Sequence, residues 1–154
     1  MSRKVKFAST SIDVGTSIRE ISYLLRDVGA DRFATLQDLE RGRVGVQFFM
    51  RGQGIELNID CGAIEERLET TADRKSKKGP EAAERVAFRL LLNWLANNFE
   101  LVRWGVFDVM EAFLPYMVLP TGQTVREVLI QTTPEGTKRL ALPAAPGAKP
   151  DVAP

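Results

Sequence analysis

Between Gly79-Pro80 and Gly105 the chain reads "PEAAERVAFRLLLNWLANNFELVRWG", and no other segment constrains the fold as much. Val86, Leu90, Leu91, Trp94, Leu95, Phe99 and Val102 recur at helical spacing and form a wide apolar face. Arg85, Arg89, Asn93 and Glu100 lie nearer the opposite side. Pro80 suits the first turn of a helix and Gly105 its end. At about 1.5 Å per residue such a helix spans roughly 37 Å. That is longer than a compact domain of 154 residues needs. Part of the apolar face is therefore expected to serve a partner, and a symmetric homodimer is the economical way to cover it.

Something must cover the rest of that stripe, and the first third of the chain supplies it. "GTSIREISYLLRDVGA" reads as a helix, with Ile18, Ile21, Leu24, Leu25 and Val28 on one face. Ser17 and Glu20 match a capping box, with Thr16 an alternative cap, and Gly29 sits where a C-terminal cap belongs. "RFATLQ", "RVGVQFFMR" and "IELNID" then read as strands joined by the turns "DLERG" and "GQG". On the central strand Val44, Val46, Phe48 and Met50 point one way, and Arg43, Gly45, Gln47, Phe49 and Arg51 the other. The expected architecture is α+β: an antiparallel meander of three to four strands packed with the N-terminal helix and the long helix. "VKFA" near the N-terminus is a candidate edge strand.

Residues 62–79 are crowded with charge and have little to bury, so they read as a mobile loop with at most a short helical start. After Gly105 come a short helix from Asp108 to about Phe113, a break at Pro115, the strand-like "YMVL" and a short helix capped by Thr124 with Glu127. Residues 132–154, rich in Pro and Ala, read as a disordered tail behind a single domain of residues 1–131.

Composition narrows the chemistry. Histidine is absent, which removes Ser-His-Asp and Cys-His nucleophiles and histidine metal ligation together. Cys61, the one cysteine, reads as a small apolar filler. The G-x-G of "RGQGIE" lies between strands, where glycine serves a hairpin, and there is no phosphate-binding loop. Asp108 with Glu111, and Asp60 with Glu65 and Glu66, read as solvated charges and helix-end partners. No catalytic residue, cofactor or metal ligand is assigned, and the expectation is a non-enzyme. No signal peptide is visible behind Arg3, Lys4 and Lys6, and no apolar run approaches the roughly 18 residues of a membrane span. A soluble cytoplasmic protein without a membrane partner is expected.

With a net charge of +1, nucleic-acid binding would need a local patch. Arg43, Phe49 and Arg51 on one face of a strand resemble the surfaces on which single-strand binders stack bases while cations hold phosphates. Lys75, Lys77 and Lys78 on the charged loop and Trp104 at the end of the long helix complete the candidate set. The alternative for Phe49 is core packing beneath the long helix, with Arg43 and Arg51 at its rim.

"ISYLLRDVGADRF", the long-helix segment and above all "FLPYMVLPTGQTV", residues 113–125, resemble a family of small proteins of bacteriophages, prophages and mobile elements with no established activity. The resemblance covers residues 17–60 and 82–130. It implies an accessory protein acting in the host cytoplasm and transfers no functional residues. Two functions are expected on this footing. One is binding of single-stranded nucleic acid. The other is a protein-binding module that inhibits or recruits a host protein through the long helix and "FLPYMVL".

Overall fold

A computed structural model describes residues 5–71, 77–132 and 138–140. The elements are α1 (Val14–Asp27), β1 (Arg32–Asp38), β2 (Arg43–Met50), β3 (Gln53–Asp60), α2 (Cys61–Glu69), α3 (Pro80–Arg103), α4 (Val109–Phe113), α5 (Val125–Leu129), β4 (Ile130–Thr132) and β5 (Lys138–Leu140). The fold is α+β, as the periodicities predict. An N-terminal helix, a three-stranded antiparallel meander in the order β1-β2-β3, the long helix and short C-terminal helices make it up.

The alternation along β2 decides inside from outside. Val44, Val46, Phe48 and Met50 are buried in one cluster with Ile21 and Leu25 of α1, and with Phe88, Leu91, Leu95 and Phe99 of α3. Both helices therefore lie on the same side of the sheet. The Phe48 ring centroid is 6.1 Å from Phe99 and 5.6 Å from Phe113, so α4 closes the same core from its end. Arg89 of α3 donates to Glu20 of α1 at 2.6 Å. Both helices end in the same way: Ala30 N–H donates to the Leu25 carbonyl and Val106 N–H to the Leu101 carbonyl, each at 2.9 Å and each closing a Schellman motif.

The surplus length of α3 is covered mostly from within the chain. Its first turns pack Ala82, Ala83 and Val86 against Leu68 of α2 and Ala8 of the N-terminal segment. The segment 62–79, expected as a loop, thus contains a helix through Glu69. Cys61, Ile64 and Leu68 give α2 a narrow apolar stripe that the surrounding charge concealed, and the Asp60 carboxylate caps it by accepting from Gly62 N at 2.8 Å. Residues 72–76 of that segment lie outside the described residues.

Other expectations are displaced. Asp13, not Ser17 or Thr16, caps α1: its carboxylate accepts from Thr16 N at 2.7 Å and from the Thr16 hydroxyl at 2.9 Å. The helix starts a turn earlier than the capping-box reading, and Ser17 is carried into the core. "VKFA" forms turns rather than a strand, with Phe7 at φ 65°. The β2–β3 turn is Arg51-Gly52, at φ 51° and 78°, so Gln53 and Gly54 belong to β3. From "YMVL", Met117 makes one bridge to Ile55 at the edge of β3, and Val118 N donates to the Gly54 carbonyl at 2.8 Å. Thr124 and Glu127 form the expected capping box on α5. The expected tail at 132–154 does not begin at 132. Lys138–Leu140 pairs antiparallel with Ile130–Thr132, because the Pro/Ala-rich composition starts only after Leu140. The rest of that tail lies outside the described residues.

Candidate functional site

The side of the sheet away from α1 and α3 carries Arg43, Gln47 and Phe49, so Phe49 is not packed beneath the long helix. The ring is half-buried by other means. Gly54 is its direct cross-strand partner, and a methyl group placed there would come within 3.2 Å of Phe49 Cε1. The Arg32 guanidinium, from the paired position on β1, lies over the ring at 4.2 Å from its centroid. A glycine in a strand leaves backbone uncovered, and an aromatic partner that leans across it restores the packing. Arg32 escaped notice in the sequence because its position depends on register. The four-residue connection between Asp38 and Arg43 closes that hairpin, and the sequence alone does not say which residues face each other across it.

The remaining expected residues are dispersed. Arg43 is exposed, but the register sets it between Asp38 on β1 and Asp60 on β3. Glu56 faces Gln47 from β3 and accepts from Asn58 at 2.8 Å. A polar hollow of about 340 Å³ on this face is lined by Arg41 and Arg43 together with Asp38, Glu56 and Glu127. Arginine and carboxylate thus alternate rather than forming a basic patch. Arg51 leaves the face altogether, because the strand ends at Met50 and the turn aims its side chain at Asp108, 3.3 Å away at the N-terminus of α4. Lys77 and Lys78 precede α3, with Lys78 within 4.0 Å of Glu69, and Lys75 lies outside the described residues. Trp104 follows α3 and is 82% exposed. The 24 residues of α3 separate it from the lysines by about 36 Å.

A second concavity was not foreseen as a site. Leu57 and Ile59 of β3, Leu90, Trp94 and Asn97 of α3, and Tyr116 line a groove of about 340 Å³ with no charged residue in its wall. Beyond Ile55 the outer edge of β3 has no strand partner among the described residues. Leu90 and Trp94 belong to the α3 stripe but are only half-buried, Leu90 beside the cluster that holds Leu68 of α2 and Trp94 beside the main core. Trp94 is held against Phe113 and Tyr116, at centroid distances of 5.6 and 5.2 Å. The signal in the sequence was the excess width of the α3 face. What it lacked was the position of Tyr116, which a 3-10 turn over Leu114–Tyr116 brings back beside β3.

Neither surface carries evident reaction chemistry. Cys61 sits between the two hydrophobic clusters, and its thiol is pushed up to about 11, first by burial and then by Glu84, Asp60 and Glu65. Among the described residues no three His, Cys, Asp or Glu side chains gather where they could hold a metal ion, and no helix is long and apolar enough to cross a membrane. The chain matches no protein-family model, no curated protein and no solved structure.

Proposed function

We propose that this chain is a non-enzymatic protein-binding module whose groove between β3 and α3 takes an extended, uncharged, apolar segment of a partner protein. The observation that carries the reading is the uncharged groove beside an unpaired strand edge. An edge strand offers main-chain donors and acceptors, and the neighbouring wall selects side chains. The resemblance to phage and mobile-element proteins supports a partner in the cytoplasm of the host cell. Selection from a displayed library of random peptides against the full chain tests this. Enriched peptides should be apolar and uncharged, and should bind at least tenfold more weakly to Asn97→Arg, which places a charge at the exposed rim. Peptides indifferent to that substitution, or no enrichment, would remove the reading.

A second reading, binding of single-stranded nucleic acid, is favoured by the Arg32–Phe49 pair on the sheet face away from α1 and α3. Fluorescence anisotropy with labelled single-stranded and duplex oligonucleotides at low and physiological salt decides it. Micromolar single-strand binding that weakens with salt and is lost in folded Phe49→Ala supports it, and no binding at low salt ends it. The homodimer expected from the surplus of α3 is proposed instead to use the exposed Trp104, Val106 and Phe107 beyond that helix. A monomer mass by light scattering at micromolar concentration would refute it.

A further inference from the structure

We propose that the groove between β3 and α3 is closed by the α3 of a second copy of this chain, packed antiparallel about a two-fold axis so that Trp104 of each copy seats beside Trp94 of the other. The inference rests on the readings of the groove as a binding wall and of the chain as a homodimer, and it joins the two.

Spacing along α3 identifies the face. Leu90, Trp94, Asn97, Leu101 and Trp104 follow one another at intervals of four, three, four and three. That alternation is the seam along which two helices interlock knobs into holes, and an extended peptide does not require it. Trp104, the C-cap of α3, keeps right-handed helical dihedrals, so the seam runs on to it unbroken. The two ends of the seam differ in shape. At Leu90, Trp94 and Asn97 it forms one wall of the groove. At Leu101 and Trp104 it is exposed, and it continues into the exposed Val106 and Phe107.

Hollow and projection therefore share one helix face, with Trp94 and Trp104 about 15 Å apart along the axis. A straight helix cannot bring its own end back onto that face. A two-fold axis that reverses the helix brings each projection to the other copy's hollow, twice over. With the axis at the level of Phe99, Trp104 layers with Trp94 of the second copy, and Asn97 with its Leu101. Antiparallel helices also set opposite dipole ends side by side, whereas a parallel pair would set like ends together and projection against projection.

The chemistry of the two surfaces agrees. The groove wall has no charged residue, and neither has "WGVF", residues 104–107. The charges that flank this segment are paired within the chain, Arg103 with Asp27 and Glu100, and Asp108 with Arg51. Burying the segment thus leaves none of them without a partner. A buried indole N–H needs an acceptor, and the carboxamides of Asn58 and Asn97 line the groove. An aromatic side chain buries about 150–250 Å², so Trp104 and Phe107 of both copies, with the walls that receive them, come to roughly 1,200 Å², the small end of the stable range. Self-association then closes the wall that an outside segment would use, and the monomer is the form that binds a partner.

The test uses the full chain with Cys61→Ala as background. Asn97→Cys and Leu101→Cys chains are oxidised separately and mixed, one of them ¹⁵N-labelled so that mass spectrometry tells mixed from self-paired disulfides. Both positions are exposed, so neither substitution burdens the fold. The mixture is expected to crosslink at least tenfold faster than either chain alone. Sedimentation velocity of the unsubstituted chain at micromolar concentration should show a dimer, and Trp104→Glu should weaken it at least tenfold with an unchanged circular-dichroism spectrum. A dimer whose disulfides form within each chain type, or not at all, overturns the proposal and leaves the homodimer reading standing. A monomer overturns both. A displayed-library peptide that binds the groove should drive the dimer to monomer, and a dimer that carries such a peptide intact would overturn the shared wall while the peptide-site reading stands.

Discussion

The ring of Phe49 leans over the backbone of Gly54, its partner across the β2–β3 hairpin, closely enough that a methyl on Gly54 would lie 3.2 Å from Cε1 and 3.6 Å from Cζ. Aromatic and glycine occupy one packing position between them. The ring also carries the Arg32 guanidinium. Phe49 is not core beneath the long helix; it covers a weak point in the sheet, on a face where charged residues of opposite sign meet across the strands.

Phe49→Ala is expected to destabilise the fold by about 1–2 kcal/mol, because a half-buried ring is lost from under Arg32 and the Gly54 backbone is laid open. Urea unfolding followed by circular dichroism measures it. An unchanged midpoint would mean that the ring rests on nothing and is free to stack on a ligand.

Arg51 occupies the first position of a two-residue hairpin turn at φ 51°, where Asn is favoured and a long side chain is strained. Its ion pair with Asp108 joins two largely exposed groups and contributes little. Arg51→Asn is therefore expected to stabilise the protein by about 0.5 kcal/mol and to raise Tm by about 2 °C. A lowered Tm would assign the Asp108 contact a larger role in holding α4.

Much of this architecture is legible in the sequence because period carries it. The alternation of Val44, Val46, Phe48 and Met50, the stripe of α3, the box Thr124–Glu127 and the terminating Gly29 and Gly105 are local signals with local causes. The site was less legible because it depends on what meets what. The placing of Arg32 on Phe49 needs the β1–β2 register, which is set by the connection between Asp38 and Arg43. The groove needs Tyr116 and Trp94 brought together from different elements. α2 was hidden because three apolar residues carry it among many charges. Arg51 was misplaced by extending an alternation one residue past the strand's end.

Cys61 should be unreactive in the folded chain. With its thiol pushed up to about 11, the thiolate at pH 8 is on the order of a hundredfold scarcer than in an ordinary cysteine. Iodoacetamide should alkylate it about a hundredfold faster after unfolding in urea. A folded pKa raised above the unfolded one means that burial favours the neutral thiol. The associated stability is full below the unfolded value, near 9.0, and is lost as pH rises toward 11. Equal alkylation rates in the two states would show the site to be open.

Asp13 acts in the opposite direction. The Thr16 backbone N–H, and then its hydroxyl, hold the carboxyl below its ordinary value. A depressed folded pKa contributes stability above the unfolded value and loses it as pH falls through the folded one. Asn caps a helix about as well but carries no charge. Asp13→Asn should thus match the unsubstituted chain near pH 2 and be less stable near pH 6, as thermal melts across that range would show. The same difference at both pH values would remove the charge from the account.

Ser17 decides where α1 begins, through the sign of a single substitution. If Ser17 capped the helix, as the S-x-x-E pattern reads, Ser17→Ala would cost about 1 kcal/mol. In the structure Asp13 is the cap, Glu20 is engaged by Arg89, and Ser17 lies within the helix, fully buried, with no hydrogen-bond partner for its hydroxyl. A buried hydroxyl without a partner is unfavourable, and Ala is the better helix former. Ser17→Ala is therefore expected to stabilise the fold by about 1 kcal/mol, while Asp13→Ala lowers its stability. Denaturant midpoints for the two variants would separate the alternatives. A destabilised Ser17→Ala with a silent Asp13→Ala would move the start of α1 back to the capping box.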